Sequence, residues 1–360
     1  MTEGLPLNKL DIFSDKETYE LFFNISNKDL ISIIKQSKAI VIDEKVLHLY
    51  QDFLEIEGEK VIKIIALEDK KRPDEALEIC EQLIVKGVHR HDTIVAIGGG
   101  ITQDLMTFAA SVLFRGISWI WIPTTLLAQA DSCIGGKSSL NFKSWKNIIG
   151  NFYPPSKIYI QDNFLKTLCE DDIRSGIGEI LKVHLLSGKI AANLILEQMQ
   201  KYKTEKNILA QMIFNSLKLK NKILEIDPLD QGLRLKMNYG HSFGHALESA
   251  THFAIPHGIA VTIGLDMANF IAYKTHQLSF EEFERLHVTL NDNLKTHDFI
   301  SFDFSDFIKA LKKDKKNDST HYNLIIPTSF GEVELTSFAM NDVTENLFQE
   351  YFDRYYKGRE

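Results

Sequence analysis

Residues 93–113, TIVAIGGGITQDLMTFAASVL, decide the fold. Thr93–Ile97 is a continuous apolar run rich in β-branched residues, which is typical of a strand buried on both faces. The triplet Gly98–Gly100 follows at once, and an apolar helical pattern extends from about Thr102 to Leu113. A strand that passes through a glycine turn into a helix is typical of a parallel α/β sheet. In such sheets, ligands bind beyond the carboxyl ends of the strands.

The alternation of strands and helices continues on both sides of this segment. A helix is predicted to begin at Pro73, a favoured residue in a first helical turn, and to end at Gly87. Further buried strands are predicted at residues 38–43, 61–67, 117–122 and 157–161. We therefore expect an α/β N-terminal Rossmann-like domain over residues 1–164.

The pattern changes after about Phe164, where helical periodicities take over. Helices are predicted at residues 173–186, 208–226, 241–250, 258–276 and 302–311. Only Tyr322–Pro327 has the character of a strand. The second domain, residues 165–360, is therefore predicted to be mostly α-helical.

Composition excludes several classes of protein. The chain has 360 residues, 44% of them hydrophobic, so it can bury a sizeable core. Its formal net charge of -8 provides no basic field for nucleic acid. A membrane span is not expected, because there is no run of 18 apolar residues, and neither is a signal peptide. Cys80, Cys133 and Cys169 are too widely spaced for a disulfide framework, so a reduced, cytoplasmic protein is expected.

The glycine triplet is a candidate nucleotide site. Glycine lets the backbone approach a pyrophosphate, and the N-terminus of the following helix offers N–H groups to it. The triplet is not a GxGxxG motif, and an ordinary tight turn is the alternative. Asp43, at the end of an earlier strand, is a candidate for a ribose hydroxyl or for a helix N-cap.

A second candidate is the polar segment Pro123–Ser139, PTTLLAQADSCIGGKSS. Gly135-Gly136-Lys137 has the composition of a backbone nest for an anion. Asp131 adds a carboxylate, and Lys146-Asn147 adds donors suited to phosphate. An ordinary surface loop remains the alternative.

Histidines are concentrated between residues 241 and 257, which hold four of the twelve in the chain. His241 and His245 lie four residues apart and therefore share a helical face, and His252 and His257 follow. Such a group predicts a divalent metal site, with zinc as the first candidate and solvated or buried histidines as the alternative. Glu179 lies on an otherwise apolar helix face and is the candidate carboxylate ligand. The expected surface histidines are His48, His89, His91, His276, His287, His297 and His321.

Several isolated cations complete the candidates. Lys182 follows Glu179 by one turn and is placed either to pair with it or to touch substrate. Arg115, Lys220 and Arg234 together suggest a small polyanionic substrate, although each alone is compatible with a surface charge.

These residues match a known family. Residues 38–335 resemble 3-dehydroquinate synthase and the wider group of sugar phosphate cyclases. The strongest blocks are VAIGGGITQDL (95–105), FRGISWIWIPTTLLAQADSCIGGKSSLN (114–141), KNIIGNFYPP (146–155), SGIGEILK (175–182), GLRLKMNYGHSFGHALE (232–248) and HGIAV (257–261).

The resemblance implies a role for each position. The metal ligands would be Glu179, His241 and His257, with zinc the expected metal and cobalt the alternative. The NAD site would comprise Asp43, Glu68, Lys71, Gly99, Gly100, Asp104, Thr124, Thr125 and Lys146. The substrate pocket would include Asp131, Lys137, Lys182, Lys220, Arg234 and Asn238. Phosphate contacts would come from His245, Asn147 and Lys315 or its neighbour Lys316. Arg115 would reach the substrate of the other subunit in a homodimer.

The implied activity is conversion of a seven-carbon keto-acid phosphate of the shikimate pathway (DAHP) to 3-dehydroquinate and phosphate. It proceeds by transient oxidation by NAD, β-elimination of phosphate, reduction and an intramolecular aldol. The alternatives are a sibling cyclase acting on a neutral sugar phosphate such as sedoheptulose 7-phosphate, a glycerol dehydrogenase-type alcohol dehydrogenase, and a protein without catalysis.

Three departures from the family pattern bear on the substrate. Gln103 stands in place of a glycine, Ile259 in place of a glutamate, and the segment NFKSWKN (141–147) in place of a stretch with proline and glycine. They favour the sibling cyclase, whereas Lys220, Arg234 and Asn238 favour a carboxylate-bearing substrate.

Overall fold

The structure is a computed structural model that describes residues 8–15, 18–143, 145–230, 232–294 and 299–356. The chain divides into two compact units. Unit 1 comprises Met1–Leu168 and Lys220–Leu229, and unit 2 comprises Cys169–Leu219 and Asp230–Glu360. The expected fold class, an α/β part followed by a mostly helical part, is confirmed. The assignment of cofactor and metal roles to domains 1–164 and 165–360 stays a prediction.

Unit 1 is built on a seven-stranded sheet. Its strands and helices are β1 (Asn8–Ile12), β2 (Tyr19–Phe23), α1 (Asn27–Gln36), β3 (Ala39–Asp43), α2 (Glu44–Leu54), β4 (Val61–Ile64), α3 (Pro73–Val85), β5 (Thr93–Gly98), α4 (Gly100–Val112), β6 (Ser118–Pro123), β7 (Leu140–Phe142), β8 (Trp145–Ile149) and β9 (Lys157–Ile160). The sheet order is β1-β2-β9-β6-β5-β3-β4, and every pairing is parallel except β1 with β2. β7 and β8 form a separate antiparallel hairpin.

The sheet of unit 1 is stabilised by a buried apolar core that its strands share. Ile40, Ile42, Val95 and Ile97 belong to one buried cluster on adjacent strands. The predicted strands alternate with helices, as parallel pairing requires. β1 and β2 were not predicted, because the buried positions of β2 alternate with half-buried ones and both strands are only five residues long.

Unit 2 holds most of the helices. Its elements are α5 (Glu170–Leu185), α6 (Lys189–Met199), α7 (Ile208–Ile226, whose end from Lys220 belongs to unit 1), α8 (His241–Ala250), α9 (His257–Lys274), α10 (Phe280–Asp292), α11 (Phe304–Lys312), β10 (His321–Ser329), β11 (Glu332–Ala339) and α12 (Asp342–Tyr351). Every residue of α9 from Gly258 to Ala272 is buried, so α9 is the central helix of the unit. Among the described residues, no helix is long and apolar enough to cross a membrane.

Two expectations about unit 2 are wrong. Tyr322–Pro327 is not its only strand, because β10 pairs with β11 around a turn at Gly331. β11 was not predicted because most of its side chains are exposed or half-buried. His287 is not a surface residue: its Nδ1 lies 2.8 Å from Oδ2 of the buried Asp266. Of the other expected surface histidines, His297 lies outside the described residues.

Candidate functional site

The nucleotide candidates of unit 1 lie at one edge of the sheet. Asp43 ends β3, Gly98 ends β5, and Thr124 follows β6. These strands are parallel neighbours, and the backbone N–H of Thr124 donates to the carbonyl of Gly98 at 2.8 Å. The carboxyl ends of three strands therefore meet, as the family resemblance implies for an NAD site.

The glycine triplet allows close packing at this edge. A Cβ on Gly98 would lie 2.2 Å from Oγ1 of Thr102, and one on Gly99 would lie 2.8 Å from Cγ2 of Thr125. Gly99 is the N-cap of α4, and no described side chain caps this helix. Its first N–H groups therefore face the ligand edge without a side-chain acceptor, an arrangement that fits a pyrophosphate.

A polar network lies beside α4. Lys71 is its centre: its Nζ donates to Oδ1 of Asn147 at 2.7 Å and lies 3.4 Å from Oδ2 of Asp104. Nζ of Lys146 and Nζ of Lys71 each lie 3.8 Å from Oε1 of Glu68. The structure thus brings four predicted cofactor residues together with the predicted phosphate contact Asn147.

Asn141 belongs to the same network, although sequence reasoning did not single it out. Its Nδ2 donates to Oε1 of Glu68 at 2.9 Å, and its Oδ1 accepts from the backbone of Asn147 at 3.0 Å. It opens the NFKSWKN segment, whose Ser144 lies outside the described residues. Its position next to a conspicuous departure was the signal that could have identified it.

Two carboxyl groups at this edge have raised pKa values. Burial raises the pKa of Asp104 to about 7, even though Lys71 and the backbone N–H of Ser139 favour its ionised form. Burial also raises the pKa of Asp43, which caps α2 by accepting from the backbone of Lys45 at 3.1 Å. The N-cap role considered for Asp43 is therefore present, and its ribose role stays a prediction.

The polar segment after β6 holds Asp131 and Lys137. Nζ of Lys220 lies 3.1 Å from Oδ1 of Asp131 and donates to its carbonyl at 2.6 Å. Gly135 and Gly136 have φ values of 101° and 59°, which favour glycine. The backbone of Lys137 forms an isolated antiparallel β-bridge with that of Phe152, which fixes the position of the segment.

Arg115 lies elsewhere on unit 1. It is exposed and has a left-handed φ of 63°, in a turn with Phe114 and Gly116. A non-glycine residue in that conformation is sterically strained, so the turn presents Arg115 at some energetic cost.

Unit 2 contains the predicted metal cluster. Oε1 of Glu179, on α5, lies 3.3 Å from Nε2 of His257 and 3.6 Å from Nε2 of His241. His241 and His257 are the first residues of α8 and α9. One ligand atom from each of His241, His245 and His257 also falls within 4.8 Å of the others. His252, by contrast, is exposed and is not part of this group.

Glycines set the spacing of this cluster. A Cβ on Gly178 would lie 2.1 Å from the carbonyl oxygen of Gly258, and one on Gly258 would lie 1.9 Å from that of Ser175. These two glycines are the sequence neighbours of Glu179 and His257. The close approach of α5 and α9 that they permit therefore brings the carboxylate to the imidazole.

Both candidate histidine ligands are held by their other ring nitrogen. Nδ1 of His241 lies 3.2 Å from the carbonyl of Tyr239, and Nδ1 of His257 lies 3.3 Å from Oε2 of Glu248. This pattern orients Nε2 towards a shared point and is characteristic of metal-binding histidines. Glu248 was not predicted; its spacing of seven residues from His241, on the same face of α8, could have identified it.

Glu179 and His241 have pKa directions that suit metal ligands, whereas His257 would have to lose a proton to bind a metal. Burial would raise the pKa of Glu179, but its ion pair with Lys182 and the nearby imidazoles hold it well below its ordinary value. Burial and Lys182 lower the pKa of His241. Burial also acts to lower the pKa of His257, but Glu179 and Glu248 raise it to about 10. A carboxylate with two oriented imidazoles is a donor set that suits Zn²⁺ or Co²⁺.

The predicted phosphate contacts of unit 2 differ in their surroundings. Desolvation of the ring and the charge of His257 lower the pKa of His245, although the residue is partly open to solvent, with Lys316 as a further cause. Lys316 is half-buried and its Nζ donates to both oxygens of Asp314, at 2.7 and 2.6 Å. Lys315 is exposed. Of the two lysines, Lys316 is the one that is held by an ion pair and whose charge acts on His245.

Arg234 and Asn238 lie in a short helical segment, Leu233–Asn238, just before α8. Arg234 is buried, and Nδ2 of Asn238 donates to the carbonyl of Leu235 at 3.1 Å. Both residues therefore lie shortly before His241 in the chain.

Comparison with known proteins identifies the family of the chain. Residues 61–175 match the N-terminal model of 3-dehydroquinate synthase, and residues 176–317 match its C-terminal model. A 3-dehydroquinate synthase of Dictyoglomus thermophilum is 36% identical over 310 residues, 83% of this chain and 85% of that one.

Solved structures share the fold. A 2-deoxy-scyllo-inosose synthase complexed with carbaglucose-6-phosphate, NAD⁺ and Co²⁺ matches with a TM-score of 0.83 at 23% identity, covering 96% of this chain and 100% of that one. A 2-epi-5-epi-valiolone synthase from Streptomyces hygroscopicus, with NAD⁺ and Zn²⁺ bound, matches with a TM-score of 0.79 at 24% identity, covering 94% and 96%. The resemblance in sequence is thereby confirmed, and the chain belongs to the 3-dehydroquinate synthase family.

Proposed function

We propose that the protein converts DAHP to 3-dehydroquinate and phosphate, with NAD and a divalent metal. The observation that carries this proposal is the group formed by the buried Glu179 and the half-buried His241 and His257 in a chain of the 3-dehydroquinate synthase family. A relative with that name, 36% identical over 85% of its own length, supports the substrate assignment.

NAD is assigned to the carboxyl edge of the unit 1 sheet, where the N-terminus of α4 fits a pyrophosphate. The metal, with zinc preferred, is assigned to Glu179, His241 and His257. NAD supplies a transient oxidation that is reversed within each turnover, and the metal supplies positive charge that favours ionisation of a substrate hydroxyl.

The remaining assignments concern binding and proton movement. In unit 2, Arg234 offers a planar fork for the substrate carboxylate, and His245 with Lys316 offers donors for phosphate. We favour Lys316 over Lys315 because its positive charge contributes to the lowered pKa of His245. Lys182 is held against Glu179 and is placed to orient a substrate hydroxyl. In unit 1, Asp131, Lys137, Lys220 and Asn147 are assigned to the substrate.

Arg115 is assigned to a contact across a homodimer interface. Its exposed, strained turn supports a role outside its own unit. Sedimentation of the wild type, and activity restored by mixing an Arg115→Ala variant with a variant of another substrate residue, would test this assignment.

The decisive experiment is phosphate release by the zinc-loaded protein with NAD far below the substrate concentration. DAHP and sedoheptulose 7-phosphate are offered in parallel. We expect release from DAHP alone, without accumulation of NADH, because the oxidation is reversed in each turnover. Release only from the neutral sugar would replace the proposal with a sibling cyclase, and NADH accumulation without phosphate would indicate a dehydrogenase.

A further inference from the structure

Helix α4 holds both ends of the loop that carries Lys137. At one end, Nε2 of Gln103 donates to the carbonyl of Ser132 at 2.6 Å, and Oγ of Ser132 donates back to Oε1 of Gln103 at 2.8 Å. At the other end, Oδ1 of Asp104 accepts from the backbone N–H of Ser139 at 2.9 Å. Two consecutive residues of one helix therefore clamp residues 132–139.

Gln103 makes this contact from a buried position. The residue is 4% exposed, and α4 buries the apolar Leu105 and Met106 nearby. A buried amide costs free energy unless its groups are paired. The reciprocal pair with Ser132 satisfies this requirement, and it cannot form at the glycine that the family pattern has here.

The clamp also bears on Asp131. Nζ of Lys220 donates a hydrogen bond to the carbonyl of Asp131, and Nε2 of Gln103 donates one to the next carbonyl, that of Ser132. The peptide between these residues is thus fixed at two consecutive carbonyls. We infer that Gln103 is a positioning residue, which holds Asp131 and Lys137 where the proposed reaction needs them.

This inference rests on the proposed function for its catalytic consequence, but the clamp itself can be tested without turnover. Gln103→Met keeps the length of the side chain and removes both hydrogen bonds. Ser132→Ala removes only the Oγ bond and leaves the bond to the carbonyl. Thr107→Val is the matched control, because Thr107 is buried one turn along α4 and its Oγ1 has no partner among the described residues.

In the turnover assay, we expect Gln103→Met to lower kcat/KM for DAHP by about 10- to 100-fold, the scale of a small misplacement of binding groups. Ser132→Ala should have a smaller effect, and the double variant should be no worse than Gln103→Met because the two side chains act on each other. The Kd for NADH should stay within about threefold, because the start of α4 is unchanged. A purely structural role predicts parallel losses in NADH affinity and turnover, and that result would overturn the inference.

Hydrogen exchange of the peptide covering residues 131–139 provides the second measurement. We expect faster exchange in Gln103→Met and wild-type exchange in Thr107→Val. If the wild type releases no phosphate from any substrate, the proposed function fails, whereas the exchange result still decides whether the clamp exists. Unchanged exchange in Gln103→Met would overturn the inference even in a fully active enzyme.

Discussion

The two candidate sites use glycine for different purposes. In unit 1, the triplet Gly98–Gly100 is itself a candidate for binding, since its backbone ends β5 and begins α4. In unit 2, Gly178 and Gly258 are neighbours of candidate ligands, and they let α5 and α9 approach closely enough for Glu179 to meet His257.

This difference bears on two of the three departures from the family pattern, Gln103 and the 141–147 segment, whereas the third, Ile259, lies in unit 2 two residues after His257. A site made of backbone groups tolerates new side chains nearby, and Gln103 and Trp145 both lie close to the candidate cofactor residues along the chain. A site made of side chains on three helices depends on both the ligands and the helix spacing. We therefore expect unit 2 to be far less tolerant of substitution, and the following predictions test that expectation.

The largest effect is expected for Gly258→Ala. The new Cβ would lie 1.9 Å from the carbonyl oxygen of Ser175, so a helix backbone would have to move. We expect a loss of about 3 kcal/mol or more in the free energy of unfolding, at the upper end for overpacking. Metal binding should be lost as well, because His257 moves with the helix.

Gly58→Ala is the matched control for that substitution. A Cβ on Gly58 would meet no atom within 4 Å, so its stability and metal content should equal those of the wild type. Urea unfolding and metal analysis of both variants check the prediction. A Gly258→Ala protein with wild-type stability and metal content would show that glycine does not set the spacing of the cluster.

The next prediction separates ligands from neighbours. His241, His245 and His257 all lie close enough to share a metal, but only His241 and His257 have Nε2 beside Glu179 and Nδ1 held by another acceptor. We expect His241→Ala to lose stoichiometric zinc and His245→Ala to retain it while losing phosphate release. Zinc retained by His241→Ala and lost from His245→Ala would reverse the assignment.

Much of the fold was predictable from sequence because it depends on local pattern. The continuous apolar run of Thr93–Ile97 and the glycine triplet located a parallel strand and a helix, and both were confirmed. β1 and β11 were missed because few of their side chains are buried, which weakens the strand pattern, although each pairs with the strand next to it in the sequence.

The candidate sites show the same limit. The spacing of His241 and His245 predicted a cluster, but spacing alone could not exclude His245 as a ligand; that distinction came from the family resemblance. Glu248, Asn141 and the clamp by Gln103 depend on hydrogen bonds between residues that pattern alone does not bring together.

Asp104 provides a test in unit 1, through the pH dependence of stability. Burial raises its pKa from 3.8 to about 7, so the folded protein favours the neutral carboxyl group more than the unfolded chain does. This contribution to stability is fully present below pH 3.8 and is lost as the pH rises through 7. The full difference corresponds to about 4 kcal/mol as an upper limit.

Asp104→Asn removes this titration and keeps an oxygen to accept from Ser139. In the absence of NAD, we expect the free energy of unfolding of the variant to increase relative to that of the wild type as the pH rises from 4 to 8, because only the wild type loses the contribution of neutral Asp104. Urea unfolding at four or five pH values checks this. Parallel curves for the two proteins would mean that Asp104 ionises as freely as it does in water, because the ion pair with Lys71 offsets the effect of burial.

The smallest effect is expected for Glu248→Gln, which changes the partner of a ligand rather than a ligand. The amide can still accept from Nδ1 of His257, but it no longer attracts the imidazole by charge. We expect zinc affinity to fall by about 10- to 100-fold, the usual range for such partners, and the pKa of His257 in the metal-free protein to fall below about 10. Competition with a chelator measures the zinc affinity, and NMR titration of the His257 ring measures the pKa.

Glu281→Gln is the matched control, because it removes the same charge from an exposed position on α10 and should change neither the zinc affinity nor the pKa of His257. If Glu248→Gln binds zinc as tightly as that control, the helices alone orient His257, and unit 2 would depend on glycine spacing even more than the comparison with unit 1 implies.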